Sequence, residues 1–294
     1  MRFDATADRD ITGLGTWGEL AYSLEDPRHV LEGFHGQLSE PQEGALRELY
    51  GLVESLNLDL TLVRGQPAEP LRLCLLRFLR ANGFNAPKAL AQLEENVNFR
   101  DRENVVDLLQ QKASDVLGCD PEAINRYFPH WDFGEDRVGR PVLCKQYGGF
   151  VVSELLSLTT MESMVRSHVW EQEMTLRLMR RRSLARGAIV DSVVVIIDTG
   201  GMAMRQVTAD FIALMKRVAH VDQAMYPELL GQMFIINTPG LFTYVWKMFA
   251  PLLDSRTRDK IKIFSRPRDW QPALLELIPA DVLPPEYGGT GVPL

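Results

Sequence analysis

The feature that most constrains this chain is the stretch from Gly231 to Ser265. It opens on a short apolar run, Met233-Phe234-Ile235-Ile236, closed by Asn237. Its length and its branched residues predict a strand buried on both faces. Thr238-Pro239 follows, an N-cap residue type and then a proline where a first helical turn tolerates one. The helix expected over 240–250 carries Leu241, Phe242, Tyr244, Val245, Trp246, Met248 and Phe249, relieved only by Thr243 and Lys247. A helix apolar nearly all round is normally enclosed on every side. Yet Pro251, Asp254, Arg256, Arg258, Asp259, Lys260 and Lys262 come directly after it. Two readings stand at this point. One is a core helix of an α/β domain. The other is a lid over an apolar cavity, with an outer side able to meet a membrane.

Upstream, Ser39 and Gln42 stand at capping-box spacing, and Leu46, Leu49, Tyr50, Val53 and Leu56 recur at helical intervals. Leu71 to Ala81 reads as a second helix, with Leu75, Leu76, Phe78 and Leu79 inside and Arg72, Arg77 and Arg80 outside. Asn82-Gly83 ends it, and Asn85 with Pro87 starts a third. Residues 38–115 are thus expected to form a small all-helical lobe. After Pro121 the pattern changes. Val142-Leu143-Cys144 and Val193-Val194-Val195-Ile196-Ile197 read as strands, as does Ile261 to Phe264. Helices are expected over about 160–182 and 208–220. Strands alternating with helices predict a parallel or mixed sheet with crossover helices, an α/β lobe over residues 116–294. Arg177, Arg180, Arg181 and Arg182 crowd the end of the longest helix. There they complement the backbone dipole, with attraction to anionic lipid as the lesser alternative.

Charge is unevenly spread. The first 60 residues hold 12 Asp and Glu against 4 Lys and Arg, so the rest of the chain comes to +1 of the total −7. Nucleic acid, which selects a strong basic stripe, is not the expected partner. Residues 1–37 form an acidic extension that Trp17, Leu20, Tyr22 and Leu24 could anchor and that could bind a protein partner. No apolar run is long enough to span a bilayer, and Met1-Arg2-Phe3-Asp4 lacks a signal-peptide core. Three distant cysteines, Cys74, Cys119 and Cys144, suit a reducing cytosol, and no metal-ligand spacing is present. The histidines are scattered, and His29 and His35 read as surface residues. The expected location is cytoplasmic, with transient attachment to membranes.

Catalytic motifs are sparse. Asp198-Thr199-Gly200 matches half of an aspartic-protease dyad, but no second copy exists and the surroundings are not β-rich. An Asp there serves to cap the turn after the strand. Gly288-Gly289-Thr290-Gly291 precedes no helix and is no phosphate loop. No nucleophile elbow, dinucleotide fingerprint or zinc spacing occurs. No enzyme and no cofactor are expected.

Leu75-Leu76-Arg77-Phe78-Leu79-Arg80-Ala81, Gly139-Arg140-Pro141-Val142 and Val195-Ile196-Ile197-Asp198 stand in one order with several later pieces. These are Tyr226-Pro227-Glu228, Ile235-Ile236-Asn237-Thr238-Pro239, Phe249-Ala250-Pro251-Leu252-Leu253-Asp254 and Tyr287-Gly288-Gly289. Together they resemble the Sec14-like (CRAL-TRIO) lipid-binding proteins over residues 38–290. The resemblance implies a sheet flooring an apolar pocket, a mobile gate helix over 240–250, and carriage of one hydrophobic ligand or lipid. It implies a pocket wall of Trp170, Met174, Val193, Val195 and Ile197, with Phe211, Met215, Arg217 and Ile235. It implies a gate built on Phe242, Val245, Trp246, Phe249 and Ala250, and a membrane-facing basic set of Lys247, Arg256, Arg258, Lys260 and Lys262.

Phosphoinositide-binding members carry a Glu where this chain has Arg217 and a Lys where it has Ala250. Choline-lipid binders place hydroxyl residues at Val193 and Val195, and a pocket tyrosine appears here as Gln172. A less polar ligand, such as a sterol, fatty acid or isoprenoid, is therefore expected. Haem or another non-lipid ligand on the same fold, and a sensor module without transfer activity, are the competing functions.

Overall fold

The computed structural model describes residues 20–294. A five-stranded sheet runs through its centre in sequence order: β1 (His130–Glu135), β2 (Pro141–Gln146), β3 (Val193–Asp198), β4 (Leu230–Ile236) and β5 (Ile261–Ile263). Only the β1–β2 pair is antiparallel. Strand β1 escapes the sequence reading because a register shift between Asp132 and Gly134 breaks its alternation.

Three long helices and the one-turn helix Thr61–Arg64 form the N-terminal lobe; the long ones are α1 (Glu40–Ser55), α2 (Leu71–Ala81) and α3 (Ala86–Arg102). Their apolar stripes meet in a core that includes Leu46, Leu49, Leu75, Phe78, Leu79 and Leu93. The expected caps form: Ser39 N–H donates to Gln42 Oε1, and Asn85 Oδ1 accepts from the Lys88 amide. Helices α4 (Met161–Arg186), α5 (Ala209–Met225) and α6 (Phe242–Phe249) connect successive strands, and α7 (Pro267–Leu277) follows the last.

Parallel strands laid down in sequence order, each joined by a right-handed crossover, put all their connecting helices on one face. The packing agrees. Val193, Val195 and Ile197 of β3 join α4, α5 and α6 in one apolar cluster. Val194 and Ile196 point the other way, into a second cluster with Trp270 and Leu274 of α7. Asp198, at the strand's end, accepts from the Gly200 amide at 2.9 Å, from Asn237 Nδ2 at 3.0 Å and from the Tyr287 hydroxyl at 3.2 Å. It is a structural hub of the strand ends. Asn237 holds a left-handed φ of 53°, which asparagine tolerates better than most residues.

The lobes meet through polar groups. Gln92 Nε2 donates to the carbonyls of Gln223 and Ala224, and Asn96 Nδ2 to that of Met225. These are the last carbonyls of α5, which lack partners within their own helix. Arg77 and Arg80, expected on the outside of α2, are instead buried between the lobes. Arg77 pairs with Glu69, and Arg80 lies 3.6 Å from Glu228 and 3.8 Å from Asp191. Helical periodicity marks the face of α2 opposite its own core, and a second lobe covers that face.

The described part of the N-terminal extension is bound to the body. Tyr22 is buried against Leu73 and Ile189, whereas Leu24 points to solvent and Trp17 lies outside the described residues. His29 and His35 are half-buried, not surface groups. Arg28 joins Asp26 and Asp191 and donates to Ser192 Oγ at 2.8 Å, while the Tyr22 hydroxyl donates to Asp191 at 2.6 Å. Burial raises the Asp191 pKa, and Arg28 and Arg80 more than reverse that, leaving it below its usual value. Removing one partner of a buried ion pair strands the other charge, at a cost of about 3–5 kcal/mol. Arg28→Met should therefore lower unfolding free energy by about that amount in urea denaturation. Arg137→Met, at an exposed residue, should lose far less.

Candidate functional site

The gate region is shorter than expected. Thr238 does not cap a helix, because its amide and its hydroxyl both donate to the Phe264 carbonyl at 3.1 Å. Pro239 and Gly240 make a turn instead, and α6 begins only at Phe242. After Phe249 the chain tightens into a 3-10 turn over Ala250–Leu252. Gln223 of α5 holds the far end, donating to the Leu252 carbonyl at 2.7 Å and accepting from the Asp254 amide at 3.0 Å.

The helix is not enclosed on every side. Phe242 and Val245 are buried in the cluster on the crossover face of the sheet, with Trp246 and Phe249 packed against it. The Phe249 and Phe211 ring centroids stand 6.1 Å apart. On the opposite side Tyr244 is 68% exposed, and Met248 and Leu252 are also exposed. A two-turn helix thus presents one apolar face to the sheet and a second to solvent.

The basic residues behind it divide into two groups. Arg256 and Lys260 pair with Glu228, at 3.0 and 3.2 Å. Lys247, Arg258 and Lys262 are exposed, with the Lys262 ammonium 5.8 Å from the Phe234 ring centroid. The basic end of α4 is also largely engaged: Arg180 is buried and donates to the Val63 carbonyl, and Arg182 and Arg186 pair with Glu135.

A cavity of about 90 Å³ opens on the same side of the sheet, between β2, α4, α5 and the short helix Pro121–Tyr127. Trp170 and Met215 line it, together with Ile124, Phe128, Met164 and Val218. Val193, Val195, Ile197, Phe211 and Ile235 lie beyond its lining, in the closed packing between sheet and crossover helices. Met174 is half-buried on α4, and Ala250 half-buried at the end of the gate. Arg217 points away from the cavity. Its guanidinium pairs with Glu162 on the exposed edge between α5 and α4.

Sequence reasoning missed the polar wall of this cavity. Val142 and Cys144 of β2 face α7, so Leu143 and Lys145 face the crossover helices. On α4, Met164, His168 and Glu171 fall at helical spacing along one face and line the cavity. The Lys145 ammonium meets Glu171 at 3.2 Å, and His130 Nε2 stands 3.9 Å from the same carboxylate. His168 and Gln172 both approach Asp222 at 2.6 Å. Tyr147 follows β2, its amide donating to the Asp198 carbonyl at 2.7 Å. Gly148, next to it, passes so close to the Gly200 carbonyl that a Cβ there would lie 1.8 Å away. Burial drives the Glu171 carboxyl up, but Lys145, His130 and His168 outweigh it and leave the group at about 2. Burial also holds His130 below its usual value, which Glu171 only partly offsets.

A helical lobe docked on a mostly parallel sheet, with a two-faced helix closing the crossover side, defines a class of two-lobed α/β binding folds. The CRAL/TRIO domain model matches residues 125–289, and the model of the CRAL/TRIO N-terminal domain matches residues 34–95. The chain is 31% identical to the Sec14 cytosolic factor of Schizosaccharomyces pombe over 91% of its own length and 88% of that protein. It is 28% identical to the SEC14 cytosolic factor of Candida glabrata, over 92% and 84% of the two chains. It is 34% identical to the phosphatidylinositol/phosphatidylcholine transfer protein SFH9 of Arabidopsis thaliana, over 73% of this chain and 36% of that one. The crystal structure of Sfh5 superposes with a TM-score of 0.62 at 18% identity, covering 86% of this chain and 88% of that one. The protein belongs to the Sec14-like CRAL/TRIO family.

A carboxyl whose folded pKa lies below its unfolded value stabilises the fold above that unfolded value, and the contribution fades as pH falls through the folded one. For Glu171 the window runs from 4.5 down to about 2. The stabilisation present at neutral pH is on the order of 3 kcal/mol. Glu171→Gln should accordingly cost the most at pH 6 and progressively less between pH 4.5 and pH 3, read as urea midpoints against the unaltered protein.

Proposed function

We propose that the protein binds one lipid between its sheet and gate helix and carries or presents it at membranes. The observation that carries this reading is the two-faced gate, with Phe242 and Val245 held on the sheet and Tyr244, Met248 and Leu252 turned outward. The cavity, about 90 Å³, is well below the roughly 300–1,000 Å³ of ordinary ligand pockets. Loading a lipid therefore requires the layer over the sheet to part, and on this reading α6, seated on it by Phe242 and Val245, is the piece that moves. Exposing Phe242, Val245, Trp246 and Phe249 to water costs about 1.5–3 kcal/mol for each fully buried side chain. A bilayer that receives the same surface offsets that cost, which couples opening to membrane contact. Lys247 and Arg258, exposed on and after α6, are the cations that would meet anionic headgroups, whereas Lys262 lies over Phe234 on the α7 face of the sheet. Binding and release of this kind require no covalent chemistry, and the working location is the cytoplasm with transient attachment to membranes.

The relatives' names include phosphatidylinositol/phosphatidylcholine transfer. For this chain a less polar ligand is the better fit. Val193 and Val195 bring no hydroxyl donors to hold a choline lipid, Ala250 brings no ammonium, and Arg217 pairs with Glu162 at the exposed edge. A charged headgroup left without partners in an apolar pocket costs several kcal/mol. Delipidated protein incubated with a mixed lipid extract, then weighed by native mass spectrometry, should retain sterols, isoprenoids or acyl lipids with small heads. Dominant retention of phosphatidylinositol or phosphatidylcholine would reject this preference.

The gate itself is tested by two neighbouring substitutions. Tyr244→Asp, at an exposed position, should leave the circular dichroism spectrum unchanged and cut lipid transfer between vesicles at least several-fold. Val245→Asp places an unpaired carboxylate in the core and should unfold the lobe or lower its stability by several kcal/mol. A folded Tyr244→Asp protein with full transfer activity would show that the outer face of α6 plays no part.

A further inference from the structure

The polar end of the cavity has a charge composition that selects among lipid heads. Lys145 and Glu171 enter it from β2 and α4 and form a pair, so their charges cancel. His168 also lines it and is bonded to Asp222, so a second carboxylate stands one residue behind the wall. The Tyr147 phenol reaches the same space. It donates weakly to the Met215 sulfur at 3.8 Å, which leaves its oxygen able to take a stronger partner. His130 and Ser167 complete the polar part of the wall, burial holding His130 below its usual pKa, and the rest is apolar.

Three classes of head can be compared against this wall. A carboxylate or phosphate finds one ammonium, already engaged, and two carboxylates at close range. A cationic head finds Lys145 in its way. A neutral hydroxyl can donate to Glu171 while accepting from Lys145 or Tyr147, and breaks no ion pair in doing so. Ammonium groups carry three donors, and an ionised carboxylate has about four acceptor sites, so the pair has capacity to spare.

We propose that the Lys145–Glu171 pair, with Tyr147, is the head-recognition site of the pocket, and that it selects a neutral lipid alcohol over the matching lipid acid. This rests on the reading that the pocket holds a lipid at all. The neutral pair acts as a discriminator: Glu171 repels an acid that Lys145 alone would attract, and both serve an alcohol.

The test compares two ligands that differ only at the head, oleyl alcohol and oleic acid, offered in equal amounts to delipidated full-length protein at pH 7.5. Retained ligand is quantified by mass spectrometry after gel filtration. The unaltered protein should retain the alcohol at least tenfold over the acid. Glu171→Gln should reverse or abolish that preference, because Lys145 is then free to hold a carboxylate. Since this variant also loses stability, Lys145→Met with Glu171→Met is run beside it. Removing both charges together spares the fold, and the double variant should bind both ligands with a ratio near one. Equal retention by the unaltered protein, or a preference for the acid, overturns the proposal while leaving lipid binding in place. So does an alcohol preference that survives in the double variant. Retention of neither ligand, nor of anything from a mixed lipid extract, overturns the lipid-binding reading and this proposal together.

Discussion

The order of the strands governs the rest of the molecule. Because β2 to β5 lie side by side in sequence order and run parallel, their connections fall on one face. That face receives α4, α5 and α6, and the opposite face receives α7. Alternation along each strand then sorts the side chains. Val193, Val195 and Ile197 go to the crowded face with the cavity and the gate, and Val194 and Ile196 to the closed layer under Trp270 and Tyr287. The opening proposed for the site needs a covering layer made of separable pieces. Here that layer includes a helix of two turns tied down at its ends, while α7 and the C-terminal turns seal the other side.

Much of this was legible from residue pattern. The run Val193 to Asp198 and the apolar periodicity of the crossover helices specify the lobe, because burial on a strand and on a helix leaves different spacings. The acidic first segment was legible only as composition. Its attachment depends on Arg28 finding Asp191, a partner 163 positions away. The same limit explains Arg77 and Arg80. Spacing along α2 reports which residues face their own three-helix core, and says nothing of a second lobe that encloses the other side. The gate helix was read as apolar all round, and its division into an inner and an outer face became visible only once the sheet occupied one side.

The candidate site shows a similar split. Trp170 and Met215 line the cavity, while Arg217, weighed as a headgroup contact, is turned to Glu162. Lys145 and Glu171 were legible in principle, the first by its alternation with Cys144 and the second by its helical spacing from His168. What hid them is that each looks like a solvated charge in its own element. Their pairing arises from the register between β2 and α4, and no local pattern encodes that register.

Glu228 brings three parts of the molecule to one carboxylate. Arg80 reaches it from the helical lobe, and Arg256 and Lys260 reach it from the segment that follows the gate. Its backbone sits at a left-handed φ of 62°, so the loop before β4 is shaped around the position. The anion is therefore a common electrostatic partner for the helical lobe and for the segment that follows α6. Whatever weakens one of its three contacts changes the field felt by the other two. If α6 moves as proposed, lobe docking and gate position would share a free-energy coupling through this carboxylate, and such a coupling is reciprocal.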